Sequence, residues 1–389
     1  MEKKNNGGER LTDKDLLTEV FSRLDVKSLL ISKAVSKTWC SLISSPCFIK
    51  SHYQRAVARC CKEDETLIVR HCLAEYVAED EENEVQFSLL QLNSGQNMLP
   101  DLKNPYPQGK YPVEPYCELI GCHFGIVCVS VSISVSDFSR KSSARNQTDI
   151  YLWNPATRQS KLIPSQEYYW DRDTIGFGFD DIGNDFKIVR VVASPHLRGY
   201  GFYVYSANTN MWRTFENHTI HDASSFVFEL HLRGVLYCRN YCSMVAFNLN
   251  REQFGCLVQL PYSSLDGGIM YDSCITDFQG SIAVITPLNR GAFSKNFDLW
   301  TLNNDSCLFD GEVEASWNIM FRIEVGVPVG YVEGYFNRGD FLCHFDDPGW
   351  FVYNSEKKVV TYVPTYIIPT QVSKYTESLI SIAGSTPVN

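Results

Sequence analysis

Five short strings recur along this chain: IYLWN at 150–154, FYVYS at 202–206, MVAFN at 244–248, NFDLW at 296–300 and WFVYN at 350–354. Each is an apolar strand ending in a turn-prone or aromatic residue. Several lead into a second strand (QSKLIP, MWRTFE, FGCLVQLP, KKVVTYVP). The interval is about 40–55 residues, the range of propeller blades, and roughly four strands fit in each. Residues 174–216 spell one unit out: TIGFGFD, FKIVRVVAS, GFYVYS and MWRTFE, with DDIGND between the first two. Residues 224–261, 273–325 and 330–364 parse in the same way, and 116–164 does so with a long insertion around 135–147. Residues 66–93 give only two strands. A propeller ring closes by completing one blade from both chain ends, which hides the last sheet edges. The string TESLISI near the C-terminus is expected to supply the closing strand. The fold class is therefore a small all-α N-terminal segment followed by a large all-β domain, a β-propeller of about six blades, with a β-sandwich as the alternative.

The all-α segment is read from residues 11–53. Leu16, Leu17, Val20, Phe21 and Leu24 recur at helical spacing behind a capping-box-like Thr12 and Asp15. Asp25 can cap a second helix carrying Val26, Leu29 and Leu30, and Val35, Trp39, Leu42 and Ile43 form a third stripe. Ser45-Pro46 starts a fourth, because proline tolerates the first helical position, where no amide donor is needed. So small a helical patch has more apolar surface than it can bury alone, which points to a partner.

Charge separates the two segments. Residues 1–59 hold 11 Lys/Arg against 6 Asp/Glu, and the remainder holds 24 against 39. An acidic large domain argues against nucleic acid, because phosphate binding needs a basic surface. It permits a basic protein ligand. No apolar run approaches a membrane span, and MEKKNNGGER carries no secretory signal. The 14 cysteines show no framework spacing and read as reduced thiols, which places the chain in the cytoplasm or nucleus.

Chemistry is sparse. Gly176-Phe-Gly178 lies inside a strand and leads to no helix, so a dinucleotide site is not expected. Asp180-Asp181 and Asp346-Asp347 sit in turn sequences and serve best as turn formers. His218, His221 and Asp222 lack a completing ligand, as do Cys238 and Cys242. Glu79, Asp80, Glu81, Glu82 and Glu84 read as a solvated loop, and Trp153, Trp212, Trp300 and Trp350 read as packing. No catalytic residue, metal site or cofactor is expected.

The strings DLLTEVFSRL, VKSLL, VSKTW and SLISSPCFIKSH resemble, in order and spacing, the F-box that docks on the adaptor of Skp–cullin–F-box ubiquitin ligases. It departs from the plant pattern in having Leu11-Thr12 for Leu-Pro, Leu24-Asp25-Val26 for Leu-Pro-Val, and Ile31-Ser32-Lys33 where Arg-Phe-Lys is common. WNPATRQSKLIP, GFGFDDIGNDFKIVRVV and VYSANTNMWR resemble the F-box-associated domain of plant F-box proteins, kelch-like in its blades. The ending YTESLISI is similar to the tails of S-locus F-box and S-locus F-box-like proteins. These resemblances imply a tail at 1–10, an F-box at 11–59, a linker at 60–65, a β domain at 66–383 and a tail at 384–389. They imply a non-catalytic substrate receptor whose Leu11, Thr12, Leu16, Leu17, Val20, Leu24, Val26, Leu29, Leu30 and Trp39 meet a Skp-type adaptor and, through it, cullin and a RING protein. The β domain would hold a protein substrate for ubiquitination. The polar stretch 135–147, with Arg140, Lys141 and Arg145, is the candidate recognition loop. An S-locus-type receptor for a pollen-tube S-ribonuclease, a non-degradative scaffold and a propeller enzyme are the alternatives.

Overall fold

In four of the five full blades the last residue of the third strand also makes the turn that follows it. In a computed structural model, the recurring strings fall in β5 (Arg145–Asn154), β9 (Gly199–Ser206), β13 (Ser243–Asn248), β17 (Ser294–Leu302) and β21 (Gly349–Asn354). The Asn154 side-chain oxygen accepts the amides of Ala156 (3.0 Å) and Thr157 (3.2 Å), Asn248 that of Arg251 (2.8 Å), and Asn354 that of Lys357 (2.7 Å). This is the turn-forming chemistry that favours Asn here. Four equivalent positions nearby, Arg158, Asn210, Glu252 and Lys358, take the left-handed conformation. Phe124-Gly125, Arg233-Gly234 and Gln279-Gly280 each have positive φ at both residues. These are the two-residue hairpin turns whose twist matches that of the flanking strands.

The described residues are 13–60, 65–73, 85–92, 102–111, 115–135, 145–164, 173–194, 199–217, 219–220, 226–240, 242–261, 273–288, 294–336, 339–345, 349–363 and 367–387. Within them six antiparallel sheets form the blades of a propeller. β1 (Glu65–Leu73) and β2 (Val85–Leu92) open the ring. The next blade holds β3 (Tyr116–His123), β4 (Ile126–Val135), β5 and β6 (Gln159–Leu162). The remaining blades begin with β7 (Asp173–Asp180), β11 (Val227–Leu232), β15 (Cys274–Phe278) and β19 (Tyr331–Phe336). The cores lie between neighbouring sheets. Leu67 and Val69 of the first blade pack with Phe336, Leu342 and Val352 of the last, which closes the ring.

The inner strands approach closely. A Cβ at Gly176 would lie 2.7 Å from the Phe228 ring, and one at Gly178 would lie 2.5 Å from that of His231. The Gly-x-Gly pair is thus a packing device between β7 and β11.

Three expectations need correcting. The closing strand is β23 (Ile367–Tyr375), which pairs with β1 from Thr66↔Tyr375 to Leu73↔Ile367. The string TESLISI follows it and forms no strand, yet Ser378, Leu379 and Ile382 are buried. Two of its carbonyls bond to a side chain instead: Asn154 Nδ2 donates to those of Ser378 (3.0 Å) and Ile380 (2.8 Å). The stretch 135–147 is also shorter as a loop, because Val135 pairs with Arg145 and Ile133 with Gln147. Finally, β24 (Thr386–Pro387), in the expected tail 384–389, pairs with β6.

The helices are α1 (Asp13–Phe21), α2 (Val26–Lys33), α3 (Lys37–Ile43) and α4 (Pro46–Cys60). Asp25 caps α2 as expected, its carboxylate accepting the Ser28 amide at 2.6 Å, and Ser45 caps α4 through the Phe48 amide at 3.3 Å. Val35 lies outside α3 and is exposed. Glu19 ties α1 to α4: Arg55 and Arg23 hydrogen-bond to its carboxylate (3.0 and 2.7 Å) and hold its pKa down at about 2.

Candidate protein-interaction surfaces

The helical core is small: Phe21, Val26, Leu29, Ile43 and Phe48 are buried together, with Leu17, Leu24, Leu30 and Trp39 half-buried around them. Val26 and Leu29 are inaccessible, so among the expected adaptor contacts they serve packing and cannot touch a partner. Leu16 and Val20, one turn apart on α1, point outward and are 52% and 56% exposed. Ile31 and Val35 are also exposed, at 64% and 63%. Neither was among the expected contacts, although their position beside a buried stripe could have indicated them. Leu11 and Thr12 lie outside the described residues.

The helices are not free of the propeller. Leu379, from the segment after β23, completes their core, and Ala156 packs against it. Tyr53 of α4 meets Phe124 of the β3–β4 turn with ring centroids 5.0 Å apart. Gly125 in that turn is obligatory, since a Cβ there would lie 2.6 Å from the Thr376 carbonyl. Burial raises the Glu377 carboxyl, opposed by a hydrogen bond from the Val26 amide at the start of α2. A carboxylate at a helix N-terminus complements the helix dipole. His52, buried at 2% exposure, donates from Nε2 to the Leu24 carbonyl at 2.8 Å. A cavity of about 300 Å³ remains at this junction, lined by Asp25, His52, Arg59 and Glu377 among others.

This docking gives the propeller two different faces. The β3–β4 turn lies on the helix side, so the end of β4 and the start of β5 lie on the opposite side. Arg145 begins β5 there; Arg140 and Lys141 lie outside the described residues, as do Glu79 to Glu84, His218, His221, Asp222, Asp346 and Asp347. Several described polar groups that the sequence singles out are committed to structure. Asp180 is driven up by burial, but the Gly183 amide and the Lys187 ammonium outweigh that and leave its pKa lowered. Its oxygens accept Gly183 N at 3.0 Å and meet Lys187 at 3.0 Å. Trp212 Nε1 donates to the Pro164 carbonyl, and Trp300 Nε1 to the Thr286 hydroxyl. The described cysteines are free thiols; Cys238 is buried and its pKa is raised by burial. No metal-holding cluster occurs among the described residues.

Comparison with known proteins agrees with this architecture. Residues 13–51 match the F-box domain, and residues 76–307 match the F-box associated beta propeller domain. The chain belongs to the F-box-associated β-propeller family. A putative F-box protein of Arabidopsis thaliana is 23% identical over 303 residues, covering 75% of this chain and 65% of that one. An F-box/kelch-repeat protein of the same plant is 23% identical over 327 residues, covering 79% and 78%. F-box protein CPR1, also from Arabidopsis thaliana, is 28% identical over 346 residues, covering 80% and 72%. Among solved structures, TolB from Acinetobacter baumannii aligns with a TM-score of 0.44 at 8% identity, over 80% of this chain and 66% of that one. That likeness is too slight to carry an argument.

Proposed function

We propose that this F-box protein is the non-catalytic substrate-recognition subunit of a Skp–cullin–F-box ubiquitin ligase, acting in the cytosol or nucleus. The observation that carries the reading is the exposed apolar set Leu16, Val20, Ile31 and Val35 on a helical module that already has its own buried core. Exposed apolar groups gathered on one small module mark an interaction site. The adaptor covers them, and cullin and a RING protein follow through it. The propeller, offering its far face, holds a protein substrate near the charged conjugating enzyme. Its contribution is proximity, which raises the effective concentration of a target lysine.

The test is adaptor co-purification with a Leu16→Glu, Val20→Glu double variant. Both side chains are exposed, so the melting temperature should stay near that of wild type while adaptor binding is lost. Undiminished binding by this variant would remove the reading. The outcome of a reconstituted ubiquitination assay then separates a ligase receptor from a scaffold.

A further inference from the structure

A second cavity, of about 200 Å³, lies on the propeller axis. Its wall draws on the inner strands of all six blades, β3, β7, β11, β15, β19 and β23. Glu229 of β11 and Glu333 of β19 face it, each the third residue of its strand counted from the face opposite the helices. Both carboxyls are raised by burial, Glu333 to about 7 with repulsion from Glu229 adding to the effect. Their surroundings differ. Glu229 is neutralised: one oxygen meets Arg239 Nε at 2.6 Å and the other accepts the Ile275 amide at 2.9 Å. Glu333 meets no cation among the described residues. The cationic group on the wall, Lys374, turns to Glu65 at 3.2 Å and to the face of Phe336 at 5.4 Å. Burying a carboxylate without a counter-ion destabilises a fold, so its retention beside open space needs a cause.

The space is well beyond what one water needs. It is also only partly enclosed, and the Glu229 and Arg239 side chains remain 13% exposed. We propose that the axial cavity accepts one cationic side chain, lysine or arginine, from a bound protein, with the Glu333 carboxylate as its counter-ion. The propeller's acidic balance, 39 Asp/Glu against 24 Lys/Arg beyond residue 59, favours the approach of such a basic segment. Thr276, whose hydroxyl accepts the Tyr335 amide at 3.0 Å, fixes the wall beside Glu333. This inference rests on the reading that the propeller holds a protein substrate, and it specifies that substrate's chemistry as a basic segment.

The probe is the pentapeptide Gly-Gly-Arg-Gly-Gly, titrated by NMR into the full chain, with lysine and citrulline counterparts. The arginine and lysine peptides should bind saturably. Citrulline keeps the shape and loses the charge, and should bind about 10-fold more weakly or worse, the scale of a charge-assisted hydrogen bond. Glu333→Gln should weaken the arginine peptide by a similar factor while leaving the melting temperature equal or higher. Glu333→Ala gives a second variant if the glutamine form folds poorly. Asp181→Asn, which removes an equal charge from an exposed turn, should leave affinity unchanged. Equal binding of the citrulline peptide, unchanged affinity in Glu333→Gln, or no saturable binding of the arginine peptide would overturn the proposal. Adaptor co-purification on the same preparations keeps the two readings apart. If adaptor binding persists and the peptide results fail, the cavity proposal alone falls; if adaptor binding fails, the receptor reading falls.

Discussion

The four helices of residues 13–60 and the six sheets of residues 65–387 solve the burial problem in opposite ways. Each sheet of the propeller covers its faces with the sheets beside it, and the closing strand β23 pairs along the inner edge of β1. The helices cannot close on themselves. Their core is completed by Leu379 from the far end of the chain, and Leu16, Val20, Ile31 and Val35 still face outward. A module with surplus apolar surface on both sides works as a connector: one side is spent on the propeller and the other is left for a partner. The difference also orients the molecule, because the helices pack on one face of the ring and leave the other face uncovered by them.

The largest effect should come from opening the ring. Deleting residues 367–387 removes β23 and bares β1 along its length, so the chain should aggregate on expression. A soluble product with a cooperative thermal melt would show that closure matters less than the register of β23 on β1 indicates. Deleting only residues 376–387 keeps β23 and removes Leu379, Ile382 and β24, and should leave the ring closed while loosening the helices and the outer edge of the β3–β6 blade.

Within the helical module, position decides the kind of effect. Leu29→Ala and Leu379→Ala each empty a buried site and should each cost about 2–5 kcal/mol in chemical denaturation. Leu16→Ala, at an exposed site, should stay within about 0.5 kcal/mol of wild type in the same measurement and lose adaptor affinity instead. Equal destabilisation by Leu16→Ala and Leu29→Ala would erase the distinction between core and contact.

The smallest effect concerns Asp25. Its bond to the Ser28 amide, the largest cause, lowers its pKa below the ordinary 3.8. A carboxyl depressed on folding contributes stability above its unfolded pKa and loses it as pH falls through the folded one. Asp25→Ala should therefore cost about 0.5–2 kcal/mol at neutral pH, the usual scale of a lost cap, and the gap between variant and wild type should narrow below pH 4. Asp25 sits at φ −70°, which proline can adopt. Asp25→Pro would nonetheless forfeit this cap, so restoring the common plant residue should bring no gain in stability.

The repeat architecture was legible because most blades repeat the same hairpin grammar, and Asn154, Asn248 and Asn354 mark the turns in the sequence itself. The closing strand was not. The string TESLISI carries apolar residues that look like a strand, yet two of its carbonyls are satisfied by Asn154, more than 200 residues away. Only the fold brings those groups together. The same placement explains why this string is a poor guide to substrate: Tyr375, Leu379 and Ile382 are buried, so packing at the junction accounts for it. In the helices, periodicity identified the apolar positions but could not divide Val26 and Leu29, which are buried, from Leu16 and Val20, which are not. That division depends on which face of α1 and α2 meets α3, α4 and Leu379. Glu333 gave no signal at all, since an isolated glutamate in a strand becomes unusual only when the ring closes around it.

We propose that one molecule binds an adaptor through its helices and keeps the far propeller face free. Hydrogen–deuterium exchange of the full chain, alone and with a Skp-type adaptor, tests it most directly. Protection should increase in residues 13–35, around Leu16, Val20, Ile31 and Val35, while the strand ends on the face opposite the helices exchange as before. Protection gained on that far face, with residues 13–35 unchanged, would contradict the account.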